Sequence, residues 1–246
     1  TESLTPEPQS SEEVLAYFNT LVNGVKEKTP AVNYKQELKV DNSSISITKV
    51  GEEDTSSLQS FNDAAKGIKD LILTDIKSKS GSLNYGEEND DIFFVKGENW
   101  ASTLTADDID DAYIKEVGDN YLITIEFAEI PEESKDTLAK AFELRDKDTI
   151  LNSSEFAKTA SYLTFNGFTM TYSGCTISAT VNRFTNEISN VTYGKVVDVD
   201  ASVTGLETLA EYGDMDLKFI LKDTTSFNFS WTESRETSPL ETADNA

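Results

Sequence analysis

Met215-Asp-Leu-Lys-Phe219-Ile-Leu221-Lys-Asp-Thr-Thr-Ser-Phe227-Asn-Phe229-Ser-Trp231 decides the fold. Its apolar residues share one parity, with mostly polar residues between them, the signature of a strand with one buried face. Immediately upstream, Val191, Tyr193, Val197, Val199, Ala201 and Val203 repeat the pattern. Ile177, Ala179 and Val181 precede them across a turn at Thr185-Asn186-Glu187. Residues 162–172 make a further strand, whose apolar face switches from Leu163 and Phe165 to Phe168, Met170 and Tyr172. That switch, at Asn166-Gly167, marks a bulge or bend. Four consecutive strands joined by mostly short turns predict an antiparallel meander with one solvated face.

Earlier in the chain the period changes to that of a helix. Ser10 and Glu13 form a capping box before Val14, Leu15, Phe18, Leu21, Val22 and Val25, and Pro30 ends the segment. Val32, Tyr34, Leu38 and Val40 then alternate with Asn33, Lys35, Glu37 and Lys39. After the Asp41-Asn42-Ser43 turn, Ile45 and Ile47 begin a returning strand. Leu58, Phe61, Ala65, Ile68, Leu71, Ile72 and Ile76 predict a second helix near 55–78. A short strand is expected at Ile92-Phe-Phe-Val95, and a hairpin of 109–117 with 121–128 across Gly118-Asp119-Asn120. Pro131 is expected to open a third helix over 132–145, carrying Leu138, Ala141, Phe142 and Leu144.

The fold class predicted is α+β: a long antiparallel β-meander, a curved sheet or half-barrel, packed with two or three amphipathic helices. Residues 11–231 are expected to form one domain, with any seam near residue 100. Residues 1–10 read as a solvated tether left by a processed leader, and 232–246 as a frayed Ser/Thr/Glu-rich tail.

Composition narrows function mainly by exclusion. The chain carries 45 acidic against 21 basic residues, a formal charge of −24. It is therefore repelled by phosphate backbones and anionic lipid, which argues against nucleic-acid partners. There is no histidine, which removes His-based triads and His-ligated zinc, and Cys175 is the only cysteine, so no internal disulfide forms. No transmembrane segment is expected, because no apolar run is long enough.

Three stretches, Leu104-Thr-Ala-Asp-Asp-Ile109, Asn120-Tyr-Leu-Ile-Thr-Ile-Glu-Phe127 and Tyr172-Ser-Gly-Cys-Thr-Ile-Ser-Ala-Thr-Val-Asn-Arg-Phe-Thr-Asn-Glu-Ile188, resemble uncharacterised secreted or lipid-anchored proteins of Gram-positive gut bacteria. More loosely, the strand–turn–strand pattern is similar to half-barrels that carry lipids or lipoproteins between membranes. The resemblance spans roughly residues 100–231 and implies a fold and an extracytoplasmic, lipid-anchored location at the cell surface. It transfers no functional residue.

Candidate chemistry is sparse. Glu87, Glu88, Asp90 and Asp91 cluster in one loop and Asp107, Asp108, Asp110 and Asp111 in another. Neither has the alternating spacing and turn glycine of a calcium loop, and Thr105 capping a turn with Asp108 explains part of the second. Ser46 and Lys49 have Ser-x-x-Lys spacing, but on a regular strand they point to opposite faces. Cys175 has no basic neighbour in sequence to activate it. Glu116, Lys195 and Asp223 interrupt otherwise apolar rows, which strand ends or bends would explain.

Phe165, Phe168, Tyr193, Phe219, Phe227, Phe229 and Trp231 are the candidate ligand-binding residues, lining an apolar groove if they do not simply pack as core. The function expected is a non-catalytic extracytoplasmic binding protein with no cofactor and no metal. Its partner would be an unidentified protein or an apolar small molecule. The alternatives are a carrier of an apolar ligand in the sheet groove and a carboxylate-dependent hydrolase. With one thiol and no recognisable metal cage, the protein should keep its melting temperature in reductant and EDTA; a large drop with EDTA would reveal a calcium site in the acidic loops.

Overall fold

A computed structural model describes residues 7–41, 43–44, 46–51, 53–54, 79–95, 98, 100–144, 147–148, 157 and 159–232. The expected helix at 55–78, Ile45 and nearly all of the expected tail lie outside the described residues. The fold is α+β, an open, curved, antiparallel sheet with the order β3-β2-β11-β10-β9-β6-β5. The two longest strands are β10 (Glu187–Gly205) and β11 (Asp214–Ser230). They pair continuously from Asn190–Asn228 to Thr204–Asp214.

Both long strands carry two partners end to end on their outer edges. Along β11 lie β1 (Ala31–Val40) and β2 (Ser46–Val50), which itself pairs with β3 (Glu53–Asp54). Along β10 lie β9 (Thr176–Asn182) and β8 (Leu163–Tyr172). β8 and β9 thus follow one another on a single edge rather than turning back as separate neighbours. At Ser173-Gly174-Cys175 the chain bends instead of reversing: Gly174 takes φ +60°, and the Ser173 amide donates to Val196 O of β10, so the segment stays on the β10 edge between the two ladders. From this fork one limb continues through β6 (Asn120–Glu126) to β5 (Asp111–Val117), and the other to β7 (Ile130–Pro131). The remaining strand, β4 (Lys79–Leu83), pairs with β1.

The expected turns and bulge are present. Val117 pairs with Asn120 across a two-residue turn in which Gly118 takes φ +61°. Asn182 Oδ1 accepts the amides of Phe184 and Thr185 at 2.9 and 3.1 Å, closing the β9–β10 turn. In the β8–β10 ladder Ser202 pairs with Gly167 and Val203 with Phe165, so Asn166 is the extra residue that switches the face.

Helix α1 (Ser11–Lys28) buries Val14, Leu15, Phe18, Leu21, Val22 and Val25 against the inner face of the sheet. Ser10 Oγ accepts the Glu13 amide, while the Glu13 carboxylate reaches the amide of Gln9 at 2.7 Å. The capping box is therefore displaced by one residue. The helix ends at Thr29, in the left-handed region at φ 44°, directly before Pro30. Tyr17 Oη donates to Asn186 Oδ1 at 2.7 Å, tying α1 to the β9–β10 turn; burial, and then Tyr121, push its hydroxyl up to about 12.

Two expected elements differ. Ile92–Val95 is no strand: the Asn89 carbonyl accepts the amides of Ile92 and Phe93, and its side-chain amide donates to Val25 O at the end of α1. The chain is curled so that Phe93 is driven fully into the core. The helix expected at 132–145 shrinks to a 3-10 turn at Glu132–Ser134 and α2 (Asp136–Ala139). Pro131 sits in β7 opposite Thr171 rather than at a helix start, and α2 begins without a side-chain cap.

As expected, Val191, Val199, Leu217, Phe219 and Phe229 are buried and Lys218 is exposed. Asn190 and Asp198 are only half-exposed, because each is tied into the polar face. Asn190 Nδ2 donates to Phe227 O and Asn228 Oδ1, and Asp198 accepts from Ser173. The β10–β11 connection packs most tightly at Gly205, where a Cβ would fall inside van der Waals contact of the Leu209 carbonyl. Gly205→Ala should lower unfolding free energy by about 1–3 kcal/mol in urea titration, as overpacking against backbone does. An unchanged midpoint would mean that the 206–212 turn relaxes freely.

Candidate functional site

From Val191 onward on β10, past the bulge at Ser189, and along β11 the odd-numbered residues face inward, so Lys195, Asp223 and Thr225 stand on the apolar side of the sheet. The register sets Lys195 opposite Asp223, and Tyr193 opposite Thr225. Thr225 pairs with Gln36 of β1, and Gln36 with Lys79 of β4. A polar row therefore crosses β4, β1, β11 and β10, ending at Tyr193, beside the row that holds the ion pair.

Lys195 Nζ lies 2.9 Å from Asp223 Oδ2, with both side chains largely buried at 14% and 13% exposure. Gln36 Nε2 donates to both Asp223 oxygens at 3.0 and 3.2 Å, and Lys195 also donates to the carbonyl of Glu143. Two of the three residues that interrupt apolar rows thus converge, and neither is a solvated bend. The third, Glu116, stands elsewhere, half-exposed and paired with Arg183.

Above these rows is a pocket of ≈ 70 Å³. Tyr34, Gln36, Lys79, Tyr193, Lys195 and Phe227 line its sheet side. Asp91, Ile92 and Phe94 close it from one covering segment, and Ala141, Phe142 and Glu143 from another. Phe142 packs edge-on to Tyr193 at 5.9 Å and to Phe127 at 5.2 Å, fixing the second segment in the fork between β8 and β9. The Tyr193 hydroxyl is buried with no hydrogen-bond partner among the described residues, and burial alone pushes its pKa upward. Leaving such a group unpaired costs about 1–3 kcal/mol.

The aromatic residues singled out from sequence divide into two sets. Tyr193, Phe227 and Phe229 gather at one end, where Phe93 stands edge-on to Phe227 and Phe229, at 5.1 Å from each. Phe168 and Phe219 are buried along the second half of β10, with half-buried Phe165 edge-on to Phe168 at 6.4 Å. Trp231 is half-buried, its indole donating to Ile188 O at 2.7 Å. Only Tyr193 and Phe227 of this group line the pocket.

The acidic loops are engaged locally. Glu87 accepts the Asn84 amide, Asp90 pairs with Lys26, and Asp108 closes a box with Thr105 while accepting from Lys140 at 2.5 Å. Burial raises the Asp108 carboxyl, but these bonds outweigh it and hold the pKa below its ordinary value. Among the described residues no three acids or thiols converge as a metal site. Cys175 is buried, which pushes its thiol up against weaker opposing pulls from a backbone hydrogen bond with Val196 and then from Lys195, so it does have a basic neighbour in space.

Ser46 and Lys49 correct the expectation of opposite faces. A bulge sets Lys49 against Asp216 and Ser46 against Lys218, so both lie on the outer face, away from the pocket.

Sequence reasoning missed Tyr34, Gln36, Lys79, Phe94, Phe142 and Glu143 as pocket residues. Gln36 carried a signal, a polar residue at the inward parity of Val32, Tyr34, Leu38 and Val40. No protein-family model, curated protein or solved structure matches the chain.

A buried ion pair is seldom needed for stability, whereas removing one partner strands the other. Asp223→Ala and Lys195→Met should each cost about 3 kcal/mol in chemical denaturation. The double variant Lys195→Met/Asp223→Leu should recover most of that loss. Additive losses in the double variant would show that the two side chains stabilise the fold independently and not as a pair.

Proposed function

We infer that the chain is a non-catalytic binding protein acting outside the cytoplasm, and that its ligand site is the pocket above Tyr193 and Lys195. The observation that carries this reading is the charged and polar interruption, Lys195, Asp223, Thr225 and Gln36, on an otherwise apolar inner face. Proteins break the hydrophobic pattern of a core where function requires it. A mixed aromatic and polar concavity is the usual form of a small-molecule site.

Binding suits the geometry better than acid–base catalysis. The Asp223 carboxylate is held by both Gln36 and Lys195, and the Lys195 ammonium by Asp223 and the Glu143 carbonyl. Groups fixed by such partners orient a ligand; a proton shuttle needs a free lone pair and a pKa near the working pH. The apolar-carrier alternative is less favoured, because Phe168, Phe219 and Phe229 are buried in the core rather than lining an open groove. The resemblance of the three quoted stretches to secreted and lipid-anchored proteins supports the surface location.

The test is amide chemical-shift perturbation with a panel of saccharides, amino acids, nucleosides and fatty acids. Perturbations should cluster at residues 91–94, 141–143, 193–195 and 223–225. The Lys195→Met/Asp223→Leu variant should lose them. Ligand at about 100 times its Kd should also add about 2.7 kcal/mol to stability. A panel that perturbs nothing there, or acts equally on the variant, would sink the reading.

A further inference from the structure

We propose that the outer face of the sheet, on the half where β1, β9, β6 and β5 lie, binds an extended, uncharged glycan of the cellulose or chitin type, laid across the strands. This surface is on the opposite side of the sheet from the pocket. The first observation is a change of charge along one ladder. The outward residues of β10 and β11 are even-numbered, and over one half of their pairing they include Asp198, Asp200, Asp214 and Asp216. Over the other half they are Asn190, Thr192 and Gly194 facing Asn228, Ser226 and Thr224, without an acid.

Two rows carry that half across six strands. One runs from Tyr113 through Thr124, Ser178, Thr192 and Ser226 to Lys35. Beside it Lys115 and Leu122 lead through Thr180, Asn190 and Asn228 to Asn33. Neither row holds an acid, in a chain with 45 acids among 246 residues, and Lys35 is neutralised by Glu37. A cationic partner is drawn to the four aspartates instead, and an anionic one is repelled by a net charge of −24. The acid-free half therefore suits an uncharged partner.

The second observation is that the polar groups there hold one another in place. The Thr192 and Ser226 hydroxyls are 3.0 Å apart, and Asn190 Nδ2 donates to Asn228 Oδ1 at 3.0 Å. Hydroxyl and amide groups keep further donor and acceptor capacity after such a bond, and side chains already fixed lose little entropy on binding. The third is spacing. Neighbouring strands stand ~4.8 Å apart, so each row offers one side chain per step of that length. The step is close to the length of one sugar unit in an extended glycan, whereas an extended peptide advances ~3.3 Å per residue and falls out of phase. At the β5 end Tyr113 and Leu122, exposed at 46% and 38%, supply apolar contact for the carbon face of a sugar ring.

The experiment is calorimetric titration of the whole chain with cellohexaose and chitohexaose, against cellobiose, the coiled glycan maltohexaose and the anionic polygalacturonate. At least one of the two extended hexamers should bind about tenfold more tightly than cellobiose, because each further strand adds contacts. Maltohexaose and polygalacturonate should give no heat.

Thr192→Val/Ser226→Ala removes two hydroxyls from the solvent face and should weaken the hexamer about tenfold. Tyr113→Ala, at an exposed position where folding is not at stake, should weaken it similarly. Asp200→Asn, on the acidic half, should leave binding unchanged. Lys195→Met/Asp223→Leu should also leave it unchanged, which separates this surface from the pocket. Maltohexaose or polygalacturonate binding as tightly as the extended hexamers would overturn the proposal, as would hexamer binding indifferent to both outer-face variants. No heat from either hexamer would overturn it while leaving the pocket untouched. Sedimentation showing self-association that is lost in Thr192→Val/Ser226→Ala would assign the face to a second copy of the chain and overturn it too.

Discussion

The ladder between β10 and β11 is the constraint on which the rest of the sheet depends. Those strands run for 19 and 17 residues, longer than any other described element except α1, and every larger piece of sheet attaches to one of their outer edges. Because each edge is shared by two shorter strands, a break occurs partway along each. On β10 the break falls between Gly194 and Val197, opposite the bend at Ser173-Gly174-Cys175. Lys195 lies within it. Neighbouring strands diverge there, so an inward side chain of β10 loses its flanking partner and gains a covering segment, with Phe142 and the Glu143 carbonyl filling the fork.

That position explains how a charged pair is tolerated on an apolar face. In the middle of the ladder, beside Val199 or Val203, an ammonium would be enclosed by aliphatic side chains and would stay neutral or unfold its surroundings. At the fork it has a carboxylate across the strand, a carbonyl above, and a glutamine clamping the carboxylate from the next strand. Every strong partner comes from a different part of the chain: β1, β10, β11 and the segment after α2. The site is a product of register, and its polar groups constrain that register in return. A slip of one residue in β1 would turn Gln36 to the opposite face.

Much of the sheet was legible from periodicity. Parity in β10 and β11, the extra residue at Asn166 and the turn at Gly118 all follow from rules that act within a few residues. Failures came where distant contacts overrule local preference. Ile92–Val95 has the composition of a strand, but Asn89 curls it to plug the core with Phe93. Residues 132–145 have a helical apolar pattern, yet Pro131 is taken by β7 and Phe142 by the fork. The site was half visible. Lys195, Asp223 and, in retrospect, Gln36 each broke an apolar row, but a single row does not say which other row it will face. Asp91 stood out only as one of four acids in a loop, and Glu143 carried no signal at all, since exposed acids are common in a chain so acidic.

The pairing of β1 with β11 has a kinetic meaning. Ala31 meets Ser230 and Val40 meets Leu221, so a strand near the start of the described chain is completed by one near its end. Pairing across such a span incurs the loop-closure entropy before any contact offsets it, and topologies of this kind fold slowly. Until β11 is in place, β1 has only the short ladder with β4, from Val32–Leu83 to Gln36–Lys79, and its other edge is unpaired. The rows that form the pocket depend on that same closure, because Gln36 reaches Asp223 only through the register of β1 with β11.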